Sequence, residues 1–171
     1  MTEKVPPDKF ILDATAGFRM MWFNKHHPNC IYLDRRPECE PDIVGDFRDL
    51  KQFPDETFKL IVFDPPHSVH NIDGSHLQRD YGWLKPETWQ SDLQRGFKEC
   101  WRVLKFYGIL IFKWGETDKS FKEVISLFPI KPLFLQKSAG SISRKSKPCS
   151  TFWFCFMKIP DVSISKKAEQ K

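Results

Sequence analysis

The chain has 171 residues, of which 40% are hydrophobic and 15% aromatic, enough for one well-buried domain and too apolar for disorder over its bulk. No apolar run approaches the roughly 20 residues of a membrane helix, and the polar start MTEKVPPDKF is no secretory signal, so a cytoplasmic protein without a membrane partner is expected. The net charge of +5 is uneven: from Asp118 onward eleven Lys/Arg face four Asp/Glu, whereas the first 117 residues carry sixteen against eighteen. A basic end on a near-neutral body fits a polyanionic partner such as nucleic acid, and equally a solubilising tail. The five cysteines form no CxxC pair and fit reduced thiols, and no metal is expected.

In chain order, apolar runs at 10–14 (FILDA), 30–34 (CIYLD), 42–46 (DIVGD), 59–64 (KLIVFD) and 108–114 (GILIFKW) read as strands. They are nearly continuous rather than alternating, as suits a parallel sheet covered on both faces. Helices are expected over 18–25 and 117–127. The clearest is 86–105, where Trp89, Leu93, Phe97, Trp101 and Leu104 form one stripe behind Pro86 and Glu87. Two late strands, 130–137 and 150–158, have no helix between them and should pair antiparallel. Strand alternating with helix predicts an α/β, Rossmann-like doubly wound domain over 1–160, with a basic flexible tail over 161–171.

The strand ends carry the chemistry. The first ends in Asp13, and Ala14, Thr15, Ala16 and Gly17 follow, small enough for backbone to approach a ligand. The second ends in Asp34-Arg35, where an acid can bind ribose hydroxyls or be neutralised by the arginines beside it. The third ends in Asp46-Phe47, suited to an adenine amine and ring. The fourth runs LIVF into Asp64-Pro65-Pro66-His67, where two prolines forbid helix and strand alike.

Asp-Pro-Pro before an aromatic, at the end of the fourth strand, resembles the catalytic motif of class I S-adenosylmethionine-dependent methyltransferases acting on exocyclic amines, chiefly the N6-adenine enzymes. ILDATAG resembles their first cofactor motif, Asp34 their ribose-binding acid and GDF their adenine contact. ECWRVLKFYGILIFKW resembles their helix-to-fifth-strand passage, and the resemblance runs over about residues 9–158. It implies a seven-stranded sheet of order 3-2-1-4-5-7-6 with the last strand antiparallel, and S-adenosyl-L-methionine as cofactor. It further implies Asp13 to Gly17, Asp34, Arg35, Asp46, Phe47 and Asp64 as cofactor contacts. Three positions depart from the pattern: Arg19 replaces a glycine, His67 the usual aromatic, and Phe106-Tyr107-Gly108 a Pro-Gly-Gly turn. Arg19 could narrow the cofactor pocket or meet the methionine carboxylate.

An aromatic amine is a weak nucleophile because its lone pair is delocalised. In the resembling enzymes two acceptors, here the Asp64 carboxylate and the Pro65 carbonyl, grip its N–H groups and favour a pyramidal nitrogen. His67 would stack on the extruded base. Residues 68–84, with Tyr81 and Trp83, read as a substrate-side flap, and Arg144, Lys145 and Lys147 as phosphate contacts. His67, His70, His76 and Asp73 match no standard metal spacing. A dehydrogenase is disfavoured, since G-x-G-x-x-G is missing. The expected activity is methylation of a base amine, most readily adenine N6 in DNA, with a specificity subunit as a further partner. The alternatives are adenine N6 or guanine N2 in RNA, a protein amide, and an inactive nucleic-acid-binding subunit.

Overall fold

A computed structural model describes residues 5–70, 82–138 and 150–160. Seven strands form one sheet: β1 (Ile11–Asp13), β2 (Cys30–Asp34), β3 (Ile43–Val44), β4 (Phe58–Phe63), β5 (Leu104–Gly115), β6 (Phe134–Ser138) and β7 (Thr151–Met157). Their order is 3-2-1-4-5-7-6. β7 runs antiparallel to both β5 and β6, and the other pairings are parallel. The central pair β1 and β4 is in register, Asp13 beside Val62, which brings the two chemistry-bearing strand ends together.

The main core lies on one face, between the sheet and two helices, α1 (Trp89–Val103) and α2 (Phe121–Ile125). α1 buries Trp89, Leu93 and Phe97 of the expected stripe there, and Cys100 and Val103 complete the face; Trp101 is only partly buried, stacked beside Phe97, and Leu104 already belongs to β5. Gly96 is what lets the helix approach: a Cβ there would collide with the rings of Phe47 and Phe63. The backbone turns extended at Leu104, so the chain passes straight from α1 into β5. α2 is shorter than the expected 117–127. Ser120 caps it by accepting the Glu123 N–H, and Asp118 is diverted to accept from the Ser68 hydroxyl and the Val69 N–H.

The expected helix over 18–25 does not form; the segment between β1 and β2 is a series of turns and bends. Arg19 sits at φ 55°, a left-handed conformation that stops a helix at once. Its buried guanidinium donates to the carbonyls of Lys25 (2.9 Å) and Glu40 (2.7 Å) and lies 4.2 Å over the Tyr32 ring. Arg19 therefore ties two loops, β1–β2 and β2–β3, to the sheet face that a helix would have covered. It turns away from the site and neither narrows the pocket nor offers a cation to a ligand.

Tyr107, the other residue standing where the resembling pattern has a glycine, is also left-handed, at φ 63°. Tyr107 is exposed and Arg19 buried, and opposite outcomes follow. Tyr107→Gly should relieve about 1–2 kcal/mol of left-handed strain, set against roughly 0.5–1 kcal/mol of added chain entropy. Its melting midpoint should rise slightly. Arg19→Gly should lower the midpoint, because the two loops lose their common tie to β2. Thermal unfolding of both variants followed by circular dichroism tests this, and equal shifts would contradict it.

Candidate active site

At the C-terminal edge of β1, β2, β3 and β4 the chain opens into a cleft of about 920 Å³. Its walls include Ala14 to Gly17, Asp34, Arg35, Phe47, Asp64, Pro66, Trp83, Lys113 and Trp153. A cleft beyond the carboxyl ends of such strands is where open α/β sheets bind ligands.

Asp64 is the hub. Its backbone N–H donates to Thr15 Oγ1 at 2.7 Å, which locks the β4 end to the loop after β1. Its carboxylate, 16% exposed, accepts from Lys113 Nζ at 2.7 Å through Oδ2. His67 Nε2 lies 3.0 Å from Oδ1, near enough for charge attraction but not aligned as a hydrogen bond. Burial pushes the Asp64 carboxyl up, but His67 and Lys113 together outweigh it and hold the group below the usual carboxylate range. Asp64 is thus a charged acceptor. Lys113 escaped the sequence reading, although a lone lysine in the apolar run GILIFKW was a signal. It stands one residue beyond the last paired positions, Phe63 and Phe112, and so reaches across to Asp64.

His67 does not stand as an open plate. Its ring meets Trp114 edge-on at 5.1 Å, and the side chain is turned inward to Asp64. Pro65 is buried behind the wall and Pro66 lines it. The described ends of the expected flap are fixed, since Val69 and Leu84 are buried and the Leu84 N–H donates to the Ser68 carbonyl. Gly82, at φ 76°, crosses over Pro66 and Arg35. Tyr81, Arg144, Lys145 and Lys147 lie outside the described residues.

Of the expected cofactor contacts, three carboxylates already have partners within the chain. Asp13 is sealed off from the cleft: Trp22 Nε1 donates to one oxygen at 2.7 Å and the Thr15 N–H to the other at 3.2 Å. It orders the loop after β1 instead of meeting a ligand. Asp34 does line the cleft, but its oxygens accept from the Gly17 N–H (2.8 Å), the Arg36 N–H (3.0 Å) and the Arg36 guanidinium. That fills about the four acceptor positions of a carboxylate. Burial raises its pKa less than Arg36 lowers it. Asp46 is clasped by Arg48, whose guanidinium also reaches the buried Asp92 at 3.0 Å. Phe47 stays on the wall, packed on Phe63.

The buried Asp13 gives a pH prediction. Desolvation raises its pKa to about 7 despite the Trp22 and Thr15 hydrogen bonds. The folded chain then keeps a proton that the unfolded chain releases near pH 4, so stability falls as pH rises between about 4 and 7. Asp13→Asn removes that dependence. The melting temperature of the variant relative to wild type should climb between about pH 5 and about pH 8, and a constant difference would contradict the assignment.

No protein-family model and no curated protein matches the chain. Solved structures do. An S-adenosylmethionine-dependent methyltransferase from Methanosarcina mazei aligns over 92% of this chain and 95% of its own, with TM-score 0.56 and 12% identity. The N-methyltransferase NodS from Bradyrhizobium japonicum aligns over 87% and 84%, with TM-score 0.54 and 14% identity. The fold is that of class I S-adenosylmethionine-dependent methyltransferases. A 4+2 cyclase, SpnF, is also similar, at TM-score 0.56 and 10% identity over 87% of this chain and 75% of its own. The methyltransferase fold therefore carries more than one reaction, and the chemistry must be argued from the site.

Proposed function

We propose that the protein transfers a methyl group from S-adenosyl-L-methionine to the exocyclic amine of a nucleic-acid base, with adenine N6 in DNA as the first candidate. The carrying observation is Asp64: a charged carboxylate on a central strand end, facing the cleft, with Pro65-Pro66 behind it and Lys113 against it. Lys113 and His67 leave acceptor positions on Asp64 for one N–H of a substrate. A fixed ammonium at 2.7 Å disfavours a second cation there. That argues against aliphatic ammonium substrates and for a neutral aromatic amine. Since Asp64 is held ionised, it orients the amine rather than acting as a strong base, and the amine's proton leaves to solvent after the methyl group has transferred.

The cleft suits the cofactor. Ala14, Thr15, Ala16 and Gly17 let backbone come close to it, with Gly17 at φ 50° in a conformation few other residues adopt. Phe47 offers a flat contact for an adenine ring. Asp34 would meet ribose hydroxyls by exchanging Arg36 contacts for them, and Arg35 lies at the same edge. When bound, S-adenosyl-L-methionine supplies an electrophilic methyl group. The basic residues Arg144, Lys145 and Lys147, and the expectation of a specificity subunit, belong to the same proposal.

Transfer of labelled methyl groups to DNA, RNA and free nucleosides, followed by nucleoside mass spectrometry, tests it. N6-methyladenine in DNA is expected. The saturated Asp34 favours one second reading, a methyltransferase-like binding subunit without activity. Calorimetry with S-adenosyl-L-methionine separates the two: absence of binding would overturn catalysis, whereas binding without transfer to any nucleic acid would overturn the substrate class.

A further inference from the structure

β7 alternates. Phe152, Phe154 and Phe156 enter the main core, and Trp153 points to the opposite face, where it lines the cleft with Asp64 and Pro66. Strand register places Trp153 directly beside Lys113 on β5 and Gln136 on β6. The indole N–H donates to Ser138 Oγ at 2.9 Å, so the ring is held in one orientation although it is only half-buried. Lys113 Nζ lies 5.5 Å from the ring centroid while it bonds Asp64 at 2.7 Å. One ammonium group thus links an aromatic face to the accepting carboxylate.

His67 is committed elsewhere, with its ring edge on Trp114 and its Nε2 facing Asp64. A flat ring near Asp64 therefore has to be supplied by another element. We propose that Trp153 is the aromatic wall of the acceptor subsite, stacking the heteroaromatic ring whose amine donates to Asp64. This rests on the nucleic-base reading above and assigns its ring-binding residue. Stacking is sequence-tolerant, because every base offers a π-face, so Trp153 sets affinity for the flipped base and not its identity.

The test uses the full chain with saturating S-adenosylhomocysteine and fluorescein-labelled oligodeoxyadenylate or oligoadenylate, read by anisotropy. Trp153→Leu should weaken binding roughly tenfold or more, and Trp153→Phe should stay within about threefold of wild type. S-adenosylhomocysteine affinity by calorimetry should not change. In a Trp83→Phe background, which removes the other indole on the cleft wall, stacking should also quench the intrinsic tryptophan emission when unlabelled oligonucleotide is added, and Trp153→Phe should lose that quench while still binding. This second readout decides the matter if the leucine variant unfolds. Unchanged affinity in a folded Trp153→Leu, or a quench that survives in Trp153→Phe, would overturn the wall and leave the nucleic-acid reading standing. Failure of wild type to bind either oligonucleotide would overturn that reading and the wall with it.

Discussion

Asp64→Ala is expected to lower methyl transfer at least ~100-fold, the scale on which loss of one preorganised electrostatic contact acts. The loss should fall on kcat, because the carboxylate matters most as the amine pyramidalises and its N–H groups become more acidic. Cofactor affinity should fall far less, since the wall from Ala14 to Gly17, together with Phe47, remains. The link that places residue 64 is made by its backbone N–H to Thr15 Oγ1, so the strand end should keep its position in the variant. Circular dichroism and calorimetry with S-adenosylhomocysteine establish that the protein is folded and competent to bind. Full activity in such a protein would remove Asp64 from the mechanism and take the acceptor argument with it.

Much of this arrangement was legible because backbone pattern and chemistry coincide in the sequence. Each of the first four strands is an apolar run that ends within two residues of an acid, and the sheet order is the one the family resemblance implied. What did not show is side-chain direction. Asp13, Asp34, Asp46 and Asp64 look alike as strand-end carboxylates, yet one is sealed under Trp22, two are occupied by nearby arginines, and Asp64 faces the cleft with capacity to spare. Whether Arg36 and Arg48 fold back onto the carboxylate two residues earlier is decided by local turns. Arg19 misled for the same reason: its position suggested a ligand contact, whereas its left-handed backbone sends the guanidinium into the loops behind. Lys113 and Trp153 needed strand register, a long-range property that spacing along the chain does not encode.

Lys113→Met should displace the acid limb of the activity profile to higher pH. The working form of Asp64 is the ionised one, and its pKa is depressed: burial raises it, and His67 and Lys113 lower it further than burial lifts it. Activity carried by a depressed carboxylate is present above its folded pKa and is lost as pH falls through that value. Without Lys113 the opposing burial effect gains ground, the pKa rises, and the acid limb moves up. Each pH unit of displacement costs about tenfold in activity on the acid side while the plateau above it is less affected. Lys113→Arg keeps the charge and should keep the limb near its wild-type position. The methionine variant should also be less stable, by up to about 3 kcal/mol, because it leaves a largely buried carboxylate without its closest cation. That loss should shrink as pH falls and Asp64 takes up a proton. A purely structural lysine would lower stability without moving the limb. An unmoved acid limb in a folded, active Lys113→Met protein would therefore show that Asp64 owes its charge to His67 and its surroundings, and not to the lysine on β5.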